Sequence, residues 1–180
     1  MANGWKKISS KVVHKNPWYH VSEDEVILPN GQPGKYFVLH TNGSAMVLPV
    51  RPDGKICLVQ QSRYTGGNTP SIEFVGGGMQ EGTAPLQNAK RELREETGLT
   101  ANNWIDLGIA FPFLGIAAEK MHYFLAKDLS KNPNQLDDSE DITVAWKSID
   151  EIKKMIAEGQ IIDGETITGI LKYILYKENQ

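Results

Sequence analysis

The chain has 180 residues, of which 40% are hydrophobic and 23% are charged, a balance typical of soluble globular proteins. Nineteen Lys and Arg residues against 22 Asp and Glu residues give a formal net charge of −3. This balance argues against a general nucleic-acid binder, because such proteins usually carry a strongly basic surface. The single cysteine, Cys57, excludes an intramolecular disulfide framework, and its position in an apolar run predicts a buried thiol.

The apolar segments also exclude the usual signals for membranes and secretion. The longest apolar runs, Ile56–Val59 and Tyr123–Ala126, are far too short to span a bilayer. The first twenty residues contain lysines but no apolar segment, so we expect no secretory signal. We therefore expect a soluble cytoplasmic protein that makes no contact with a membrane.

The N-terminal part of the chain alternates strand-like segments with turn signals. Pro29-Asn30-Gly31 and Asn42-Gly43 are typical of hairpin connections. We expect a small antiparallel sheet in residues 1–45, which are too few to bury a core of their own. The predicted strands are Lys11–Val13, Trp18–Val21, Glu25–Leu28 and Lys35–His40.

Residues 46–180 predict a mixed α/β domain, with strands on both sides of a central helix and two helices at the end of the chain. Its strands are predicted at Ala45–Val50, Lys55–Gln61, Ile72–Val75, Trp104–Ala110, Met121–Lys127 and Ile142–Trp146. Its longer loops are predicted at Ser62–Ser71, Phe111–Lys120 and Lys131–Asp141. Its helices are predicted from Thr83 to Gly98, from Ser148 to Gly159 and from about Asp163 to Lys177.

The central helix carries the most informative side chains. At roughly 100° per residue, Glu92, Glu95 and Glu96 fall within about a 100° arc of the helix surface. Converging carboxylates are typical of a site for a hard cation such as Mg²⁺, which favours one or two carboxylates completed by water and phosphate oxygens. The alternative is a solvated charged face on which Arg91 pairs with Glu95, and the helix alone leaves both interpretations open.

The spacing of this segment resembles the box of the Nudix hydrolases, Gly-x5-Glu-x7-Arg-Glu-U-x-Glu-Glu-x-Gly-U, where U is a bulky aliphatic residue. The matching residues are Gly77, Arg91, Glu92, Leu93, Glu95, Glu96, Gly98 and Leu99. Thr83 stands where the pattern has its first Glu. We expect Thr83 to cap the helix, and we expect the remaining glutamates to retain activity.

Other segments are similar to the ADP-ribose pyrophosphatase or nucleoside-diphosphate-sugar hydrolase branch of this family. They are Asn16–Trp18, Glu23–Gly31, Gly34–Tyr36, Gln61–Tyr64 and Glu73–Gly77. The resemblance implies a Nudix α/β/α sandwich with a mixed sheet, preceded by a small N-terminal antiparallel sheet. It implies metal-dependent hydrolysis of the diphosphate linkage of a nucleoside diphosphate sugar, foremost ADP-ribose to AMP and ribose 5-phosphate. It also implies a homodimer formed through residues 1–45, with the substrate between the subunits.

The resemblance further implies roles for individual residues. Arg63 becomes a contact for the diphosphate or the sugar, since a guanidinium binds phosphate oxygens bidentately. Mg²⁺ or Mn²⁺ becomes the cofactor. The implied metal ligands are the carbonyl of Gly76 and the carboxylates of Glu92, Glu95 and Glu96, with Glu95 as a third ligand or a support.

The catalytic base is implied to lie in the loop Phe111–Lys120, although this loop departs from the order of residues usual in the branch. Glu119 in this loop is the first candidate, and Glu140, in the later acidic stretch Asp137–Asp141, is the second. Arg91 and Glu95 complete the implied catalytic set.

Two other functions are compatible with the same sequence. One is a Nudix-fold sensor that binds ADP-ribose without cleaving it, although three of the four box glutamates are present. The other is removal of the cap or of a 5′-diphosphate from RNA, which the net charge disfavours.

Overall fold

The protein is described here by a computed structural model that covers residues 4–67, 69–131 and 141–180. The strands are β1 (Lys6–Lys15), β2 (His20–Ile27), β3 (Pro33–His40), β4 (Ser44–Pro49), β5 (Ile56–Arg63), β6 (Thr69–Glu73), β7 (Val75–Gly78), β8 (Leu99–Ala110), β9 (Met121–Lys131) and β10 (Thr143–Lys147). The helices are α1 (Pro85–Thr97), α2 (Ile149–Ala157) and α3 (Gly164–Glu178). Among the described residues, no helix has the length and hydrophobicity that crossing a membrane requires.

The chain forms two compact units. The first unit comprises Met1–Gly43 and Phe111–Lys120, and the second comprises Ser44–Ala110 and Met121–Gln180. The loop Phe111–Lys120 thus groups with the N-terminal sheet, a grouping that the sequence did not predict. The predicted loop Lys131–Asp141 lies outside the described residues except at its two ends.

The first unit is built on an antiparallel sheet in the order β1-β2-β3. The prediction of separate strands at Trp18–Val21 and Glu25–Leu28 is wrong, because β2 is continuous. Its whole length pairs with β3, from His20 opposite His40 to Ile27 opposite Pro33. The predicted hairpin turn between them is confirmed, with the Gly31 N–H donating to the Leu28 carbonyl at 2.8 Å.

The loop Phe111–Lys120 is attached to the end of β3. The Leu39 N–H donates to the Ile116 carbonyl at 2.8 Å, and the Ala118 N–H donates to the Leu39 carbonyl at 2.9 Å. The Tyr36 hydroxyl donates to the carbonyl of Gly115. These bonds fix the backbone on the N-terminal side of Glu119.

The second unit is an α/β/α sandwich, as predicted. One sheet has the order β7-β4-β9-β8 and is mixed, because β4 and β9 are parallel, and the other has the order β10-β5-β6. Successive residues of β4 face opposite layers, as the pleat requires. Ala45 and Val47 belong to the buried cluster of α1, whereas Met46 and Leu48 belong to the cluster of α2 and α3.

The cap predicted at Ser148 is confirmed, and Asp163, near which the last helix is predicted to begin, is also a cap. The Ser148 hydroxyl accepts from the Glu151 N–H at 3.2 Å, and the Glu151 carboxylate accepts from the Ser148 N–H at 2.8 Å, which forms a capping box. The Asp163 carboxylate accepts from the Thr166 N–H at 2.7 Å. The strand predicted at Ile72–Val75 is instead divided between β6 and β7 at Phe74, whose N–H donates to the Thr166 hydroxyl at 2.9 Å.

The helix α1 begins later than the sequence predicts, so the prediction that Thr83 caps it is wrong. Ala84 is the N-cap and has an extended backbone, with φ −67° and ψ 141° and no side-chain cap. Proline forces this choice, because Pro85 disfavours a helical conformation in the residue before it. The C-terminal prediction is confirmed, since Gly98 has φ 66° and its N–H donates to the Arg94 carbonyl at 2.9 Å.

The contact of α3 with the β6–β7 junction gives the first prediction. A Cβ at Gly169 would lie 2.6 Å from Cε2 of Phe74 and 3.1 Å from Cε1 of Tyr123. We expect Gly169→Ala to lower the free energy of unfolding by about 1–3 kcal/mol, because overpacking a rigid core costs more than the gain in helix propensity. Urea denaturation measures this change.

The matched control is Gly164→Ala in the same helix, where a Cβ would meet nothing within 4 Å. We expect this control to leave the free energy of unfolding unchanged or to raise it by up to about 1 kcal/mol. Equal stabilities of the two variants would contradict the proposed close packing of α3.

Candidate active site

The candidate site lies where α1 faces β7, within the second unit. Glu92 and Glu96 are both buried, at 8% and 6% exposure, although they are carboxylates spaced i, i+4 on one helix face. Two like charges at this spacing destabilise a helix unless nearby groups offset them. The surroundings of these two carboxylates therefore decide what the site can do.

Two glycines of β7 allow the carboxylates to approach the backbone. The Gly76 N–H donates to Oε2 of Glu96 at 3.1 Å. A Cβ at Gly77 would lie only 2.8 Å from Oε1 of Glu92. A Cβ at Gly76 would lie 2.5 Å from the Ala45 carbonyl oxygen of β4. Both positions thus require glycine for space, which explains the glycine pair before the helix.

Arg91 neutralises part of the negative charge. Its guanidinium donates to the carboxylates of both Glu92 and Glu95. Burial alone would lower the pKa of Arg91, but the negative charges of Glu92 and Glu95 outweigh burial, so its pKa is raised. Glu95 also lies 3.8 Å from Nη2 of Arg94, so two arginines hold it. The predicted pairing of Arg91 with Glu95 is therefore present, and Glu92 and Glu96 are buried on the same helix.

The negative charge of Glu96 also acts on Cys57 in the core. Cys57 is buried, as predicted, and is a free thiol. Burial together with the charge of Glu96 raises the pKa of Cys57 to about 12. The thiol therefore stays protonated at neutral pH and acts as a small apolar group.

The oxygen atoms of this face fit a hard divalent cation. Two buried carboxylates border a backbone that approaches them closely, and oxygen ligands of this kind are what Mg²⁺ and similar ions prefer. Within the described residues, no group of three or more His, Cys, Asp or Glu side chains is arranged to hold a metal ion. Glu92 and Glu96 are the carboxylates of this face that border the glycine backbone.

Arg63 lies at the end of β5 and binds a buried carboxylate that the sequence analysis did not single out. Its Nε donates to Oε1 of Glu73 at 2.9 Å, and its side chain is about half exposed. Gln61 donates to Oε2 of the same Glu73 at 3.2 Å. In the sequence, the i, i+2 spacing of Gln61 and Arg63 indicates only that the two side chains lie on the same face of one strand.

Three further residues bear on the predicted site: the two candidates for the catalytic base, Glu119 and Glu140, and the buried Asn88. Glu119 lies in the first unit, whereas Glu92 and Glu96 lie in the second unit. Glu140 lies outside the described residues. Asn88 was missed by the sequence analysis, although it is fully buried beside Glu92.

Comparison with known proteins identifies the family. Residues 40–167 match the NUDIX domain, and residues 5–39 match the nucleoside diphosphate sugar hydrolase N-terminal domain. The fold and the carboxylate helix are thus those of a Nudix domain. The chain belongs to the Nudix family and is a Nudix hydrolase.

Individual relatives cover nearly the whole chain. An ADP-ribose pyrophosphatase of Bacillus subtilis (strain 168) is 30% identical over 96% of this chain and 94% of the relative. An ADP-ribose pyrophosphatase of Mycobacterium tuberculosis is 29% identical over 93% of this chain and 82% of the relative. A methanol dehydrogenase activator of Bacillus methanolicus is also similar, with 30% identity over 96% of this chain and 94% of the relative.

The same fold occurs in a solved structure. The crystal structure of an ADP compounds hydrolase matches with a TM-score of 0.86, covering 100% of this chain and 97% of that chain at 18% identity. This match supports the fold. Nudix hydrolases generally require divalent cations, in keeping with the oxygen ligands described above.

The bond between Arg63 and Glu73 gives the second prediction. Burial would raise the pKa of Glu73, but hydrogen bonds from Arg63, Ser71 and Gln61 together hold it below its ordinary value. We expect Arg63→Met to lower the free energy of unfolding at neutral pH by about 1–3 kcal/mol, because Glu73 loses its main donor. Since Arg63 is half exposed, we expect the lower end of this range.

The pH dependence of this effect has a defined sign. Because the pKa of Glu73 is lowered by folding, its contribution is present above the ordinary pKa of glutamate and is lost as the pH falls through the folded value. The stability difference between wild type and Arg63→Met should therefore shrink below about pH 4. Chemical denaturation at several pH values measures it. The control is Arg94→Met, because Arg94 and Glu95 form a longer, partly exposed pair. A difference that is constant with pH would contradict the assignment.

Proposed function

We propose that the protein hydrolyses the diphosphate linkage of a nucleoside diphosphate sugar, with ADP-ribose as the first substrate and AMP and ribose 5-phosphate as products. The observation that carries this proposal is the pair of buried carboxylates, Glu92 and Glu96, against the glycine backbone of β7. Relatives named ADP-ribose pyrophosphatase, similar over nearly the whole chain, support the choice of substrate.

The carboxylates would hold the divalent cation in this proposal. Glu92 and Glu96 would be the principal ligands, and the carbonyl of Gly76 would complete them. Mg²⁺ is the proposed ion, with Mn²⁺ as the alternative. Such a cation polarises phosphate oxygens and lowers the pKa of bound water. Glu95, which two arginines hold, takes the supporting role.

Arg91 and Arg63 contribute positive charge in different ways. Arg91 is committed to Glu92 and Glu95, so its role is to orient these carboxylates. Arg63 is half exposed and is anchored through both Nε and Nη2 to Glu73, which leaves Nη1 to face a phosphate. An arginine held in this way loses little side-chain entropy on binding phosphate oxygens, which favours Arg63 as the substrate contact.

Glu119 is the proposed general base. In the reaction a water oxygen attacks one phosphorus, the bond from that phosphorus to the bridging oxygen breaks, and the base accepts the proton of the water. The hydrogen bonds of Tyr36 and Leu39 to the loop support this role, because they order the backbone before Glu119. Glu140 remains the alternative base.

Product analysis by mass spectrometry tests the proposed reaction. The purified protein is incubated with Mg²⁺ and a panel of ADP-ribose, GDP-mannose, UDP-glucose, NADH, Ap4A, a nucleoside triphosphate and capped RNA. We expect AMP and ribose 5-phosphate from ADP-ribose, and we expect EDTA to abolish their formation. Binding of ADP-ribose without turnover would favour the sensor, and cleavage of capped RNA alone would favour RNA 5′-end processing.

A substitution in the carboxylate face gives the third prediction. We expect Glu96→Gln to lower kcat by at least about 100-fold, because it removes a charged cation ligand at the reacting centre. The fold should persist, since an amide oxygen can still accept from the Gly76 N–H. The control is Glu81→Gln, an exposed carboxylate outside the helix. A kcat of Glu96→Gln within threefold of wild type would contradict the assignment of the cation site.

We also propose that the protein is a homodimer formed through the first unit. The edge strand β1 is exposed along its whole length, and unpaired edges of this kind usually need cover. Large exposed apolar side chains are concentrated in this unit, and such patches are typical of protein interfaces. They are Trp5, Ile8, Val12, Val13, Trp18, Tyr19, Phe37, Phe111, Phe113, Leu114 and Ile116.

The fourth prediction tests this assembly. We expect the wild-type protein to have the mass of a dimer by size-exclusion chromatography with light scattering. The combined change Ile8→Asp and Val12→Asp should give a monomer, because it places two charges in an apolar interface. The control Lys11→Asp changes an exposed polar residue of the same strand and should remain dimeric. A wild-type monomer, or a dimer that survives the double change, would contradict the proposal.

A further inference from the structure

Asn88 is a buried polar residue of the second unit that the proposed chemistry does not yet use. It is fully buried on α1, where its neighbour Ala89 packs in the apolar core. Asparagine is a poorer helix former than alanine, and burying its amide costs free energy unless every polar atom is bonded. Packing alone therefore gives no reason for asparagine at this position.

The side-chain amide of Asn88 is bonded on both sides. Its Nδ2 donates to the Gly77 carbonyl at 3.3 Å and to Oε1 of Glu92 at 3.4 Å. Its Oδ1 accepts from Nη2 of Arg91 at 2.9 Å. The amide thus connects the glycine backbone, one buried carboxylate and the guanidinium that neutralises it. Its partners on the helix are at i+3 and i+4, so all three side chains share one helix face.

The remaining contacts of Arg91 show why this acceptor matters. Its Nε is buried and has no hydrogen-bond partner among the described residues. Asn88 is the one neutral acceptor that the structure gives the Arg91 guanidinium in those residues. It orients Arg91 without adding a further negative charge beside Glu92.

We infer that Asn88 is a positioning residue that fixes the direction of the Glu92 carboxylate and of the Arg91 guanidinium. This inference rests on the proposed hydrolase function for its effect on turnover. The amide is a neutral group that holds Glu92 and Arg91 in place on a helix face that is otherwise charged. It touches neither substrate nor cation and acts through Glu92 and Arg91.

Steady-state kinetics with ADP-ribose and Mg²⁺ test the effect on turnover. We expect Asn88→Ala to lower kcat at least tenfold and to leave the KM for ADP-ribose within threefold, because Asn88 does not touch the substrate. The matched control is Gln87→Ala, the exposed neighbour on the same helix, which should change neither constant by more than twofold. Equal losses in both variants would overturn the inference, because they would indicate a general weakening of α1.

A second measurement does not depend on turnover or on the cation. The Arg91 Nε–H signal in ¹H–¹⁵N spectra, assigned by its loss in Arg91→Lys, reports how firmly the guanidinium is held. We expect Asn88→Ala to raise the solvent exchange rate of this proton at least fivefold and Gln87→Ala to leave it unchanged. An unchanged exchange rate in Asn88→Ala would overturn the inference, even if the wild-type protein turned over none of the panel substrates.

Asn88→Asp separates the two halves of the amide and serves if the alanine variant does not fold. It keeps an acceptor for Arg91 but loses the donor to Glu92 and Gly77. We expect a near-normal exchange rate for the Arg91 Nε–H and a kcat lowered at least tenfold. A wild-type kcat in this variant would overturn the role assigned to the Asn88 donor.

Discussion

The burial of two carboxylates on one face of α1 is the constraint that shapes the second unit. Glu92 and Glu96 lose most of their contact with water and repel each other across one helical turn. Their burial is tolerated because a guanidinium, a side-chain amide and a backbone N–H lie within hydrogen-bond distance of them. In the proposed function a divalent cation would relieve the same repulsion, so the requirements of stability and of catalysis would coincide on this face.

The rest of the sandwich holds the glycine backbone against this helix. One side of α1 packs Ala89 and Leu93 on the sheets, which fixes the rotation of the helix. On the opposite layer, the Thr166 hydroxyl of α3 accepts from the N–H of Phe74, directly before β7. The strand that carries Gly76 and Gly77 is therefore held from both sides, and the geometry of the carboxylates depends on the packing of all three layers.

Features that depend on local spacing could be predicted from the sequence. The box spacing, the cap Ser148, the start of the last helix near Asp163 and the end of α1 at Gly98 all involve residues within a few positions of one another. The cap at Thr83 was predicted wrongly, because Pro85 makes Ala84 the last extended residue. In that case two local preferences competed, and the restriction that proline places on the preceding residue prevailed.

Features that depend on distant contacts could not be predicted from the sequence. Asn88 reads as an ordinary polar helix residue until its contact with Gly77, 11 positions away, is known. The role of Glu73 depends on Arg63 and Gln61 of the neighbouring strand, which donate hydrogen bonds to its carboxylate. The attachment of the Glu119 loop to β3 joins Tyr36 to Gly115, 79 positions along the chain. Neither hydrophobic periodicity nor turn residues indicate which distant residues pair in this way.

This attachment has a consequence for the proposed chemistry. The proposed base belongs to the first unit, and the proposed cation ligands belong to the second. Tyr36 and Leu39 order the backbone before Glu119, so the proposed base depends on the N-terminal sheet for its position. Arg91 and Asn88, by contrast, form hydrogen bonds with the proposed ligand Glu92 in the second unit. The two halves of the proposed mechanism therefore depend on different hydrogen bonds, those of the loop to β3 and those of α1 to β7.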